Sequence, residues 1–202
     1  MSPEELPEPA ICVACSVFRD ELEALRERGQ LDLPVRYLDS MLHMLPKQLE
    51  TQLTAATAEE QAKRQAVVLV YGDCHAYMKE QVCPGTVART EGINCCEILL
   101  GASQYRKLRD EGHFFLLPEW TRRWKEVFEQ HLGLLGENAR NFMREMHTGL
   151  LYLDTGLQPV PAEHLDEASE MAGLPWDVLA VPLDHLAASI ADSLQRIRTH
   201  GA

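Results

Sequence analysis

Ala66-Val67-Val68-Leu69-Val70-Tyr71 is an unbroken apolar run with no position left to face water. A half-exposed strand alternates apolar and polar residues, so a continuous run marks a strand covered on both faces, as in a parallel sheet. Gly72 ends it. Further short strands are expected at Ala10–Ala14, Val35–Leu38, Thr86–Arg89, His113–Leu117, Leu150–Leu153 and Val178–Val181. Between them lie stretches of helical period. Phe18, Leu22 and Leu25 lead up to Gly29, and Leu45, Leu49 and Leu53 accompany Pro46–Arg64, with proline in the first turn. Cys95–Glu111, Glu119–Leu135, Ala139–Met146 and Glu163–Ala172 follow, then a last helix with Leu183, Leu186, Ile190 and Ile197 on one face. Strands alternating with helices imply an α/β fold, a three-layer α/β/α arrangement around one mostly parallel sheet. The 202 residues are read as a single domain, with residues 1–9 as a flexible N-terminal segment.

Charge narrows the partners. Nineteen Lys and Arg against 31 Asp and Glu leave a net charge of −12, opposite to what nucleic-acid phosphates or anionic lipid require. No stretch approaches the roughly 20 apolar residues that cross a bilayer. The first residues, MSPEELPEPAICVAC, carry acids and prolines where a signal peptide has positive charge. A cytoplasmic protein is therefore expected, with no nucleic-acid or membrane partner. Its six cysteines, at 12, 15, 74, 83, 95 and 96, are expected as thiols, metal ligands or core residues rather than disulfides.

In an open parallel sheet, ligands bind beyond the carboxyl ends of the strands. Cys15 follows the first strand, Cys74 lies just past the Ala66–Tyr71 strand, and Cys95 opens the helix after Thr86–Arg89. Three thiols from distant parts of the chain thus fall on one edge of the expected sheet. Thiols at helix N-termini are biased toward thiolate, the form that binds metal or attacks an electrophile. Cys15, Cys74 and Cys95 could hold zinc, with His75, His43 or Asp39 as a fourth ligand. They could equally hold an iron–sulfur cluster with one iron open to a small molecule. Without metal, Cys74 could be a nucleophile with His75 or His43 as base. Cys12, inside a strand, reads as a small buried residue, and Cys83, before Pro84-Gly85, as incidental.

Other candidates have plainer readings. Asp39 suits a cap and His43 a surface histidine, although both follow the second strand. Leu153-Asp154-Thr155-Gly156 resembles an aspartic-protease signature, but that fold is all-β and needs a second aspartate, so a turn is expected. Trp120, Trp124 and Phe128 fit a helix core, and Arg122, Arg123 and Lys125 a solvated face. No Walker loop, G-x-G-x-x-G, G-x-S-x-G or H-E-x-x-H pattern is present.

Four blocks resemble a bacterial and archaeal domain of unknown function often found near corrinoid-dependent methyltransferase and other one-carbon genes. They are Ala14-Cys15-Ser16-Val17, Leu38-Asp39 with His43, Tyr71-Gly72-Asp73-Cys74, and Cys95-Cys96-Glu97-Ile98-Leu99-Leu100-Gly101 with Tyr105. Phe114-Phe115-Leu116-Leu117-Pro118-Glu119-Trp120 is similar too. The resemblance implies one cysteine per block in three of them, at Cys15, Cys74 and Cys95. This chain departs from the pattern at His75, where glycine is usual, and at Ile93-Asn94, where His-Asp is usual. The expectation is a three-cysteine metalloprotein, with an iron–sulfur cluster ahead of zinc and Asp39, His43 and His75 as outer groups. It would serve one-carbon, methyl-transfer or sulfur metabolism as an enzyme or accessory factor. A corrinoid or methyltransferase protein is the expected partner; the alternatives are a metal-free thiol enzyme and a metal-delivery or docking module.

Overall fold

The computed structural model describes residues 9–131, 133 and 136–200. The flexible segment expected at residues 1–9 falls almost wholly outside them, as does the end of the helix expected to reach Leu135. The chain forms two compact units, one comprising the described residues up to Gly101 together with those from Leu183 onward, the other Ala102–Pro182.

The first unit is built on β1 (Ala10–Cys15), β2 (Val35–Leu38), β3 (Ala66–Val70) and β4 (Val87–Arg89), with α1 (Arg19–Glu27) and α2 (Pro46–Ala62) between strands. The strands form one sheet in the order β2-β1-β3-β4, every pair parallel. All five residues of β3 are buried, which is why its sequence carries no polar alternation. β1 is covered nearly as fully, and Cys12 within it is inaccessible. Burial alone pushes the Cys12 thiol up to about 12, as suits a core residue.

The strand order has a direct consequence. From β1 the chain steps outward to β2, then returns across the sheet to β3 and moves on to β4. Right-handed crossovers place the connections made in opposite directions on opposite faces. The connections leaving β1 and β3 therefore depart toward opposite faces, and the point where the order reverses is where open parallel sheets take their ligands.

The second unit holds β5 (His113–Leu116), β6 (Gly149–Asp154) and β7 (Trp176–Ala180), again all parallel, in the order β5-β6-β7. The α/β fold with parallel strands stands, but the strands expected in one sheet divide between two. The helix expected over Cys95–Glu111 divides as well, into α3 (Cys95–Leu100) and α4 (Ala102–Asp110). Gly101 between them has φ +80°, a backbone conformation glycine adopts without penalty. Pro118 begins α5 (Pro118–Arg122), and a π-helical stretch Lys125–His131 replaces the continuous helix expected there. Trp124 and Phe128 are buried, while Arg123 pairs with Glu119 and Glu126, and Lys125 with Glu167. α6 (Gly136–Met146) and α7 (Ala162–Ala172) complete this unit; α8 (Asp184–His200) belongs to the first and packs on α3, β3 and β4. None of the helices in the described residues is long and apolar enough to cross a membrane.

Candidate functional site

Cys15 is the last residue of β1, and the chain turns directly into a short 3-10 helix, Ser16–Phe18. Ala14 pairs with Val70, so one step further along the register Cys15 stands across from Tyr71. Ser16 ties this exit to the next one: its hydroxyl accepts the Ser40 N–H at 2.8 Å. Ser40 is wholly buried and starts the short helix that carries His43. The Ser16 hydroxyl thereby brings the loop after β2 against the loop after β1.

The β3 exit is fastened to the segment before α3 in three ways. Asp73 N–H donates to the Ile93 carbonyl at 2.9 Å. A side chain at Gly72 would meet Asn94 Cα at 2.5 Å and its nitrogen at 2.7 Å, an approach only glycine permits. Arg89, at the end of β4, donates to the carbonyls of Tyr71 and Gly92 at 3.1 and 3.2 Å and pairs with Asp73 at 2.9 Å. One guanidinium thus holds both loops. Arg89→Met should lower stability by about 2 kcal/mol, because it strands the Gly92 carbonyl, leaves that of Tyr71 only the longer bond from the Thr90 hydroxyl, and removes an ion pair with Asp73. Denaturant unfolding at fixed slope checks it.

Asn94 caps α3: its side chain accepts the Glu97 N–H at 2.9 Å, and the Glu97 carboxylate accepts the Ile93 N–H at 2.9 Å. Asn94→Ala should cost about 1 kcal/mol, measured in the same unfolding experiment.

These ties gather Cys15, Cys74, Cys95 and His43. Cys95 hydrogen-bonds both Cys15 and Cys74, and His43 hydrogen-bonds Cys74. Cys15 is buried, Cys74 and Cys95 are partly accessible, and His43 is exposed at the mouth. The Cys95 hydrogen bond, chiefly, brings the Cys74 thiol down to about 5; His43 and the Gly72 backbone add to it, against burial. The same contact with Cys74, together with that to Cys15, holds the Cys95 thiol well up. His43 is raised by its bond to Cys74. Helix N-termini bias these thiols toward thiolate, and mutual repulsion limits it: negative charge is favoured on Cys74 and opposed at Cys95, since adjacent thiols cannot all ionise.

Two expected outer groups are engaged elsewhere. Asp39 is exposed and accepts the Met41 N–H at 2.9 Å, which makes it the cap of the His43 helix. His75 is buried, and its Nδ1 accepts the Tyr77 N–H at 3.2 Å. Asp154 accepts the Gly156 N–H at 2.9 Å in a plain turn at the end of β6, in the other sheet. Cys83 is exposed, and Cys96 is held up to about 12 by burial.

Sequence reasoning missed Ser16, Arg89 and Tyr71 as parts of the site. Arg89 left one trace, a lone charge closing a three-residue buried strand. Tyr71 was hidden because it ends the apolar run as though it were one more core residue.

Among the described residues, no group of three or more His, Cys, Asp or Glu side chains is set to hold a metal ion. No similar curated protein and no similar solved structure is found. A family model described as "Protein of unknown function (DUF1638)" matches residues 37–190, a span that includes His43, Tyr71, Cys74 and Cys95. The chain belongs to the DUF1638 family.

Proposed function

We propose that this protein acts through the Cys74 thiolate, which attacks a small electrophile and carries the transferred group, with His43 as its proton partner. The observation that carries this reading is the hydrogen bonding of one accessible thiol by both Cys95 and His43 where the strand order reverses. A thiolate formed near neutral pH and open to solvent is what a nucleophilic cysteine requires. Limiting iodoacetamide with peptide mapping tests it. Cys74 should be labelled first at pH 6, ahead of the exposed Cys83. Labelling of Cys83 first, or uniformly slow thiols, would overturn it. The resemblance adds a setting, one-carbon, methyl-transfer or sulfur metabolism beside a corrinoid or methyltransferase protein.

A second reading rests on the number of thiols. A nucleophile needs one, and this site gathers Cys15 and Cys95 as well. Three thiolates could hold an iron–sulfur cluster or zinc once their side chains re-orient. Anaerobic purification with metal and sulfide analysis, beside Cys15→Ser, Cys74→Ser and Cys95→Ser, separates the two. Stoichiometric metal lost in each variant supports this second reading over the first.

A further inference from the structure

Tyr71 is 1% exposed, and its hydroxyl has no hydrogen-bond partner. Buried hydroxyls in folded proteins are almost always satisfied, so an orphan beside a reactive group calls for an explanation. The position supplies one. One step past the Ala14–Val70 pair, Tyr71 stands across from Cys15, and Cys74 follows three residues later; the thiols of Cys15, Cys74 and Cys95 all act electrostatically on its hydroxyl. The orphan donor thus lies within electrostatic reach of the site's sulfurs while hydrogen-bonded to none of them.

We propose that the Tyr71 hydroxyl is the donor for the oxygen of a carbonyl substrate, and that Cys74 accepts an acyl or formyl-type group. This rests on the nucleophilic reading of Cys74 and narrows its substrate class. The choice between a carbonyl and a saturated carbon follows from direction. Displacement at saturated carbon expels the leaving group in line, on the side away from the sulfur. A hydroxyl on the same side as the sulfurs cannot reach it there. Attack on a carbonyl leaves the oxygen beside the new S–C bond, within reach of a donor next to the nucleophile.

The step balances without any redox partner. A sulfur lone pair of Cys74 forms the S–C bond as the C=O π pair moves to oxygen, where the Tyr71 O–H donates to it. The pair then returns and expels the leaving alkoxide or thiolate, which takes a proton from His43. Water or a second nucleophile cleaves the S-acyl group, giving its proton back to His43. Tyr71 enters only by hydrogen bonding and remains protonated throughout.

The full chain is reacted at one pH with p-nitrophenyl acetate or with methyl iodide, and modification of Cys74 is followed by peptide mapping. Tyr71→Phe should slow acetylation of Cys74 by about 10- to 100-fold, at or below the usual effect of one oxyanion donor. Methylation should stay within about twofold of wild type, so that methyl iodide also reports whether the site still folds. Acetylation unchanged in Tyr71→Phe, or both reactions slowed alike, overturns the assignment to Tyr71 while leaving the nucleophile in place. A wild-type Cys74 that reacts with neither probe overturns the nucleophilic reading itself, and the Tyr71 assignment with it.

Discussion

Iodoacetamide should alkylate Cys74 with a pH midpoint near 5, against the value of 9.0 for an unperturbed cysteine. The direction of the profile follows from the sign of the shift. A lowered thiol is thiolate at every pH above about 5, so its rate is flat from pH 6 upward, whereas an ordinary thiol keeps accelerating to pH 9. The size of the effect at one pH is less telling than the shape. At pH 6 the thiolate fraction favours Cys74 by about 10³ over an ordinary thiol, but a weaker base is a weaker nucleophile, which gives back roughly 60-fold. A net advantage of about tenfold at pH 6 should therefore vanish near pH 7 and reverse above it. Cys95→Ala removes the largest cause of the lowering and should move the midpoint up the most; His43→Gln should move it up by less. A midpoint that stays near 9 in the wild type, or that ignores Cys95→Ala, would remove the basis for a reactive Cys74.

How much of this was legible in sequence depends on which force acts at each residue. The buried run Ala66–Val70 announced a doubly covered strand because burial on both faces leaves no polar alternation. Placing Cys15, Cys74 and Cys95 at strand exits needed only strand boundaries, which apolar runs mark well. The division into two sheets was not readable, because β5, β6 and β7 carry the same apolar signature as the first four strands. Only pairing distinguishes them. His43 and His75 looked equivalent in sequence, each near the thiols along the chain. What separates them is tertiary: the Ser16–Ser40 bond draws the His43 turn to the β1 exit, while His75 turns its Nδ1 to its own backbone neighbourhood. Arg89 left little trace because two of its three partners are the carbonyls of Tyr71 and Gly92, and backbone acceptors leave no residue-type signal.

Gly72→Ala should be the most damaging single methyl group that can be added near the site. The new Cβ would sit 2.5 Å from Asn94 Cα, 2.7 Å from its nitrogen and 2.8 Å from the Ile93 carbonyl carbon. All three are backbone atoms, so no side-chain rotation relieves the clash, and one loop must move. Inserting a carbon into a closely packed interior costs about 1–3 kcal/mol, and the absence of a yielding neighbour points to about 3. For a chain of 202 residues that corresponds to a fall in Tm of roughly 6–12 °C. The displacement is also chemical in effect. The two loops held apart carry Cys74 and Cys95, and Asn94 is the cap that begins α3 at Cys95. Separating them weakens the Cys95 hydrogen bond that chiefly lowers Cys74. Gly72→Ala should therefore raise the Cys74 alkylation midpoint as Cys95→Ala does, together with a loss of stability larger than that of Asn94→Ala. If the variant melts normally and keeps a midpoint near 5, the close approach of Gly72 to Asn94 does not set the geometry of the thiols.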